Sequence, residues 1–129
     1  MRASLSVLLV ILASFLMSGC SSVQQKKDLG LSAYTETGKA SYYADKHQSM
    51  KTANGEIYDH KLSTAAHKTL PFGTKVKVTN IENGKSVVVK INDRGPFVKG
   101  RIIDLSRSAF NSIADKSSGV IDVKIEVVE

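Results

Sequence analysis

A chain of 129 residues is the length of one domain. Its single cysteine excludes an intrachain disulfide and a thiolate metal site. The formal net charge of +6 is spread along the chain and not clustered, which suits long-range attraction to an anionic surface.

In chain order, the first element is an apolar run, Val7 to Leu16, preceded by one charge, Arg2. The run is too short to span a bilayer and has the form of a signal-peptide core. It ends in Leu16-Met17-Ser18-Gly19-Cys20. Small residues before a lone cysteine resemble a bacterial lipobox, with Met17 where leucine is commoner. The resemblance implies a signal peptide over 1–19, cleavage before Cys20, and lipid on the Cys20 thiol and amine. Several acyl chains make such an anchor stable. Ser21 and Ser22 follow with no aspartate, so the expected location is the bacterial cell envelope, on the outer membrane facing the periplasm. Export leaves nucleic acid out as a partner. Residues 20–37 are polar and aperiodic and are expected to form a flexible tether.

The domain is expected over 38–129. Gly38 to Ala44 has the composition of a strand. Val76 and Val78 alternate with lysines, Asn83-Gly84 suggests a two-residue hairpin turn, and a second strand runs from Ser86 to Asp93. Ile102 to Leu105 makes a short apolar strand. Ser106 offers an N-cap to a helix with Ala109, Phe110, Ile113 and Ala114 on one face. Ile121, Val123, Ile125 and Val127 alternate in a final strand. Short strands and one helix in so few residues point to a small, mainly β barrel.

The second strand of the hairpin ends in Asn92-Asp93-Arg94, before Gly95-Pro96. Val87, Val89, Ile91 and Asp93 have the same parity. If the valine face points inward, Asp93 lies at the barrel's mouth. Burial there would disfavour its charged form, and Arg94 would favour it.

The blocks "KTANGEIYD", "LSTAAHKTLPFGTKVKVTN" and "GKSVVVKINDRGPFVKGRIIDLS" and the closing strand resemble the rare lipoprotein A family, over Gly38 to Glu129. That resemblance implies a six-stranded double-psi β-barrel with one or two short helices. It also implies lytic cleavage of peptidoglycan, and four positions tied to activity: Glu56, Asp59, His67 and Asp93. The chain departs from the family at Tyr42-Tyr43-Ala44, where Trp-Tyr-Gly is usual, and at Lys46 to Lys51. A C-terminal glycan-binding domain found in many members is not expected after the barrel, nor is septal targeting by that route.

The resemblance makes Asp93 the general acid and base for the MurNAc–GlcNAc bond, with a 1,6-anhydro product; a second carboxylate, Glu56 or Asp59, would suit hydrolysis instead. Asp93 equally suits a turn-former, and Glu56 a solvated side chain. His67 is read as orienting Asp93 or touching sugar, against the reading of a packed histidine. Tyr42, Tyr43 and Tyr58 could stack on sugar rings or pack in the core. Asn92 and Arg94 are candidate groove residues, with Arg94 expected to hold Asp104 in a structural ion pair. His47 and His60 are expected to be structural, no metal or cofactor is expected, and the protein is expected to be a monomer. The partners are peptidoglycan glycan strands and the membrane. Two other function classes fit the same residues: an expansin-like module that binds glycan without cutting, and an envelope scaffold.

Overall fold

The computed structural model describes residues 34–128; the signal peptide, Cys20 and most of the expected tether lie outside them. Six strands form a closed barrel: β1 (Thr35–Tyr42), β2 (Thr64–His67), β3 (Lys75–Asn80), β4 (Ser86–Asp93), β5 (Arg101–Leu105) and β6 (Ile121–Val127). Their order around the ring is β1-β5-β2-β4-β3-β6. The pairs β1–β5 and β2–β4 are parallel, and the other four are antiparallel. One α-helix, α1 (Arg107–Ile113), and 3-10 turns at Asp45–His47 and Lys116–Ser118 complete the barrel domain. The mainly β, six-stranded barrel with short helices is as expected.

The period-2 pattern places the core. Val76, Val78, Val89, Ile91, Val123 and Ile125 are at most 1% exposed, while Lys75, Lys77, Lys90, Asp122 and Lys124 between them face solvent. Each fully buried side chain of this kind contributes about 1.5–3 kcal/mol. Helix α1 adds Ala109, Phe110 and Ile113 to the same core. Its N-cap is Ser106, whose Oγ accepts from the Ala109 N–H at 3.4 Å.

Two local expectations are corrected, and one strand carries no signal to read. The barrel starts before Gly38: Thr35, Glu36 and Thr37 belong to β1, opposite Glu126, Ile125 and Lys124 of β6. The hairpin turn is wider than two residues. Asn80 and Lys85 close it, and Gly84 takes φ +74°. The wider loop lets Asn80 and Asn83 both donate from Nδ2 to the Ile113 carbonyl, each at 2.9 Å, where α1 leaves acceptors unpaired. Finally, β2 has no alternation to read: all four residues of Thr64-Ala65-Ala66-His67 are buried. It is a strand because β4 and β5 pair with it on both sides.

A third correction bears on function. Ala65 of β2 lies opposite Ile91 of β4, but Ala66 lies opposite Asp93, so Asn92 is an extra, bulged residue. A bulge resets the alternation and re-aims the residue after it. Asp93 therefore does not share the inward face of Val89 and Ile91. A matching bulge at Ile102 interrupts β5, where Lys39 lies opposite Arg101 and Ala40 opposite Ile103.

Candidate active site

Register places four residues in one row across the barrel wall. Ser41 of β1 is opposite Asp104 of β5, Asp104 is opposite Ala66 of β2, and Ala66 is opposite Asp93 of β4. Residues directly opposite in neighbouring strands share a face. The preceding residue, Ala65, is opposite Leu105 and Ile91 and lies in the core. The row therefore faces outward. Asp93 sits on the outer wall of the barrel and not at its inward mouth. Two strand spacings separate Asp93 from Asp104, roughly 10 Å between backbones.

Above this row is a cavity of about 330 Å³. Asp93, Ala66 and Asp104 form its floor; Tyr42 at the end of β1 and Tyr43, Ala44 and His47 just after it also line it. Arg94 and Arg101, at the two ends of the β4–β5 loop, also line it.

Asp93 is held from both oxygens. Oδ1 accepts from the Ala53 N–H at 2.8 Å and from its neighbour Arg94 N–H at 2.9 Å. Oδ2 accepts from the Tyr43 hydroxyl at 2.6 Å. All three contacts are donors, so the resting carboxyl is oriented as an acceptor. The first of them also docks the "TANGE" loop, helped by a bond from the Asn54 N–H to the Asn92 carbonyl at 3.2 Å. Burial, then the bond to Asp93, pushes the Tyr43 phenol far above its ordinary value near 10, so it remains a donor.

Asp104 shares the cavity. Its Oδ1 accepts from Ser41 Oγ and from Arg101 Nη2, the latter at 3.0 Å. The expected Arg94–Asp104 pair is absent among the described residues. Arg94 instead donates from Nη1 to the carbonyls of Leu70 at 2.8 Å and His67 at 3.3 Å, and lies over the Phe72 ring at 4.0 Å. The bulge explains the exchange: Arg101, three residues before Asp104, reaches it from the same strand.

The remaining expected site residues divide. Tyr42 and Tyr43 line the cavity, but Tyr58 does not. It is 1% exposed, stacked on Tyr43 at 4.2 Å, and has no face open to a sugar. Its hydroxyl accepts from the Arg107 N–H at 3.1 Å and is hydrogen-bonded with His60 Nδ1 at 2.7 Å. Asn92 is buried by the bulge, with Oδ1 unpartnered. Glu56 lies outside the cavity lining, bonded to Asn54 Nδ2 at 2.7 Å and 3.6 Å from Lys90 Nζ. The Asn54 bond, then Lys90, holds its carboxyl below the usual range, a poor setting for a proton donor. Asp59 accepts from the Lys61 N–H two residues on, at 2.9 Å, which lowers its pKa in the manner of an Asx turn.

His67 touches neither Asp93 nor the cavity. It is 3% exposed, and its Nδ1 accepts from the Thr69 and Leu70 N–H groups, both at 3.1 Å. With Nδ1 an acceptor, the proton sits on Nε2 and is donated to Glu36 at 3.0 Å. His67 thus fixes residues 68–70, whose Leu70 carbonyl fixes Arg94. Sequence reasoning left out Ser41 and Arg101 and read His47 and Asp104 as merely structural. Only strand register connects Asp104 with Asp93, and no spacing rule reveals it. Among the described residues no three His, Cys, Asp or Glu side chains are grouped to hold a metal.

Residues 35–125 match the double-psi β-barrel family described as lytic transglycolase. The chain belongs to this family. Among relatives, it is 57% identical over 95 residues to the endolytic peptidoglycan transglycosylase RlpA of Vibrio cholerae, covering 74% of this chain and 36% of that protein. It is 54% identical over 98 residues to the Pasteurella multocida protein of the same name, covering 76% and 33%. The chain thus spans about a third of the length of these curated relatives. Among solved structures, Streptomyces papain inhibitor is 28% identical with a TM-score of 0.61, covering 74% of this chain and 96% of that one. A Clavibacter michiganensis expansin in complex with cellohexaose has a TM-score of 0.60 at 21% identity, covering 74% and 51%, a likeness of fold alone.

Proposed function

We propose that this protein cleaves peptidoglycan glycan strands as a lytic transglycosylase, in the bacterial envelope, with Asp93 as the general acid and base. The observation that carries the reading is Asp93 itself. It is an outward-facing carboxyl on the floor of a groove, held from both oxygens by fixed donors. The activity for which the relatives are named supports the same reading.

The chemistry asks little of the protein. The bond from the muramic C1 to the glycosidic oxygen breaks, and the muramic O6 forms a new bond to C1. The net proton transfer is from O6 to the leaving oxygen. One carboxyl group beside both oxygens can deliver and recover that proton. Tyr43 and the Ala53 N–H hold it in place, which limits the motion needed. The lipobox supports anchoring through lipid on Cys20 at the outer membrane. Arg94 and Arg101 along the groove suit strands stripped of stem peptides, whose muramic carboxylates are free.

A hydrolytic reading has one observation in its favour: Asp104 supplies a second carboxylate in the same groove. Mass analysis of peptide-free glycan after incubation with the protein separates the readings. Anhydro-muramyl ends are expected. Reducing ends would mean hydrolysis by the pair, and intact glycan retained in a pull-down would mean binding alone.

A further inference from the structure

Phe97 is 79% exposed, the most exposed of the large apolar side chains among the described residues. A scattered exposed apolar residue is ordinary and needs no function. Phe97 differs in where it is placed and how firmly. It lies in the β4–β5 loop, and the two residues that bound this loop, Arg94 and Arg101, both line the Asp93 groove. Phe97 lies four positions after Asp93, a reach of about 14 Å at full extension and less through a turn.

The loop is pinned at its far end. The Arg101 N–H donates to the Val98 carbonyl at 3.1 Å, and the Lys39 N–H of β1 donates to the Gly100 carbonyl at 3.0 Å. At its near end Gly95 is buried with φ +121°. The Phe97 ring edge lies 3.5 Å from where a Cβ on Gly95 would stand. The ring thus rests on the backbone that follows Asp93 and Arg94 and stays open on the solvent side. Phe72, 42% exposed, carries the Arg94 guanidinium on its face at 4.0 Å. Neither phenylalanine belongs to a core cluster.

We infer that Phe97 is the platform of a further sugar subsite, which extends the groove past Asp93 along the β4–β5 loop. The occupant is a pyranose ring of the same glycan strand, so the inference rests on the glycan reading of the groove. A pyranose presents a face of C–H groups with hydroxyls at its edge. An aromatic face, with its negative quadrupole, receives the C–H patch and leaves the polar rim in water. Arg94, which lines the groove with its guanidinium held over Phe72, supplies a fixed cation for an acidic sugar beside it. The subsite makes recognition depend on strand length: a short oligosaccharide fills the groove over Asp93 and does not reach Phe97.

The test uses peptide-free glycan oligosaccharides of graded length. Binding is measured for Asp93→Asn, which cannot cut, and for Asp93→Asn carrying Phe97→Ala or Phe97→Trp. Phe97→Ala is expected to lose about 5- to 10-fold in affinity for long oligosaccharides and nothing for a disaccharide. Phe97→Trp is expected to restore the long-chain affinity. The melting temperature should stay unchanged, because the side chain is exposed. Equal affinity of Phe97→Ala and its parent for every length overturns the subsite alone. Equal glycan affinity with lost association to anionic phospholipid vesicles also overturns it and makes Phe97 a membrane contact. Failure of Asp93→Asn and wild type alike to bind any glycan overturns the glycan reading together with the subsite.

Discussion

At Asp93 the carboxyl has two duties, and an asparagine can perform only one of them. Its amide oxygen can still accept from Ala53 and Arg94, and its NH2 can donate to Tyr43 once that hydroxyl turns. Asp93→Asn is therefore expected to melt close to wild type. It is also expected to lose at least about 100-fold in cleavage rate. His67 predicts the opposite pattern. It holds residues 68–70 and, through the Leu70 carbonyl, Arg94, so it is a positioning residue. His67→Ala should cost about 2–3 kcal/mol of stability by leaving Glu36, the buried Leu70 N–H and the part-buried Thr69 N–H short of a partner. Its activity loss should fall mainly on KM, and Glu36→Gln should reproduce part of the stability loss. A stable His67→Ala with kcat abolished would make His67 catalytic instead. The tyrosines set an alkaline limit. Burial raises the Tyr43 and Tyr58 phenols, and burial with Glu36 pushes Tyr34 up to about 12. The unfolded chain releases those protons near pH 10. The stability they contribute is complete below that pH and is lost as pH rises above it. Phenolate absorbance of Tyr43 and Tyr58 should therefore grow together with the loss of the β-sheet circular dichroism.

Among elements, Ser106 joins helix to sheet. Its Oγ accepts from Ala109 of α1 and from Thr64 at the start of β2, both at 3.4 Å, with no exposure. Ser106→Ala should lower stability by about 1–2 kcal/mol, a fall of about 4–16 °C in Tm for a domain of this size. An unchanged Tm would mean that water or a neighbouring group replaces the hydroxyl. Much of this level was legible in the sequence. Ile121, Val123, Ile125 and Val127 declare β6, and Ser106 declares the start of α1. What was hidden follows from tertiary pairing. Strand β2 is too short and too small in its side chains to signal itself. The Asn92 bulge leaves no mark on the valine–isoleucine alternation, so that pattern placed Asp93 on the wrong face. The same gap concealed the row that joins Asp93 to Asp104. Arg94 was paired with the wrong partner because the sequence does not tell that Arg101 is nearer.

For the whole molecule, a closed barrel leaves no open sheet edge, and the domain between residues 34 and 128 contains no cysteine. Its melting temperature should not respond to reductant. A reductant-dependent Tm would implicate Cys20, the only thiol of the chain, in a covalent dimer. Cys20→Ser should abolish lipid labelling and leave the protein uncleaved or unanchored, and labelling that persists would contradict the lipobox. The central claim concerns the groove: one outward-facing carboxyl at a bulged strand end cuts glycan strands without water. The most direct measurement is mass analysis of peptide-free glycan treated in parallel with wild type and a correctly folded Asp93→Asn. The account predicts 1,6-anhydro-muramyl ends from wild type and none from Asp93→Asn, which still retains glycan. Anhydro ends produced equally by both proteins would contradict it.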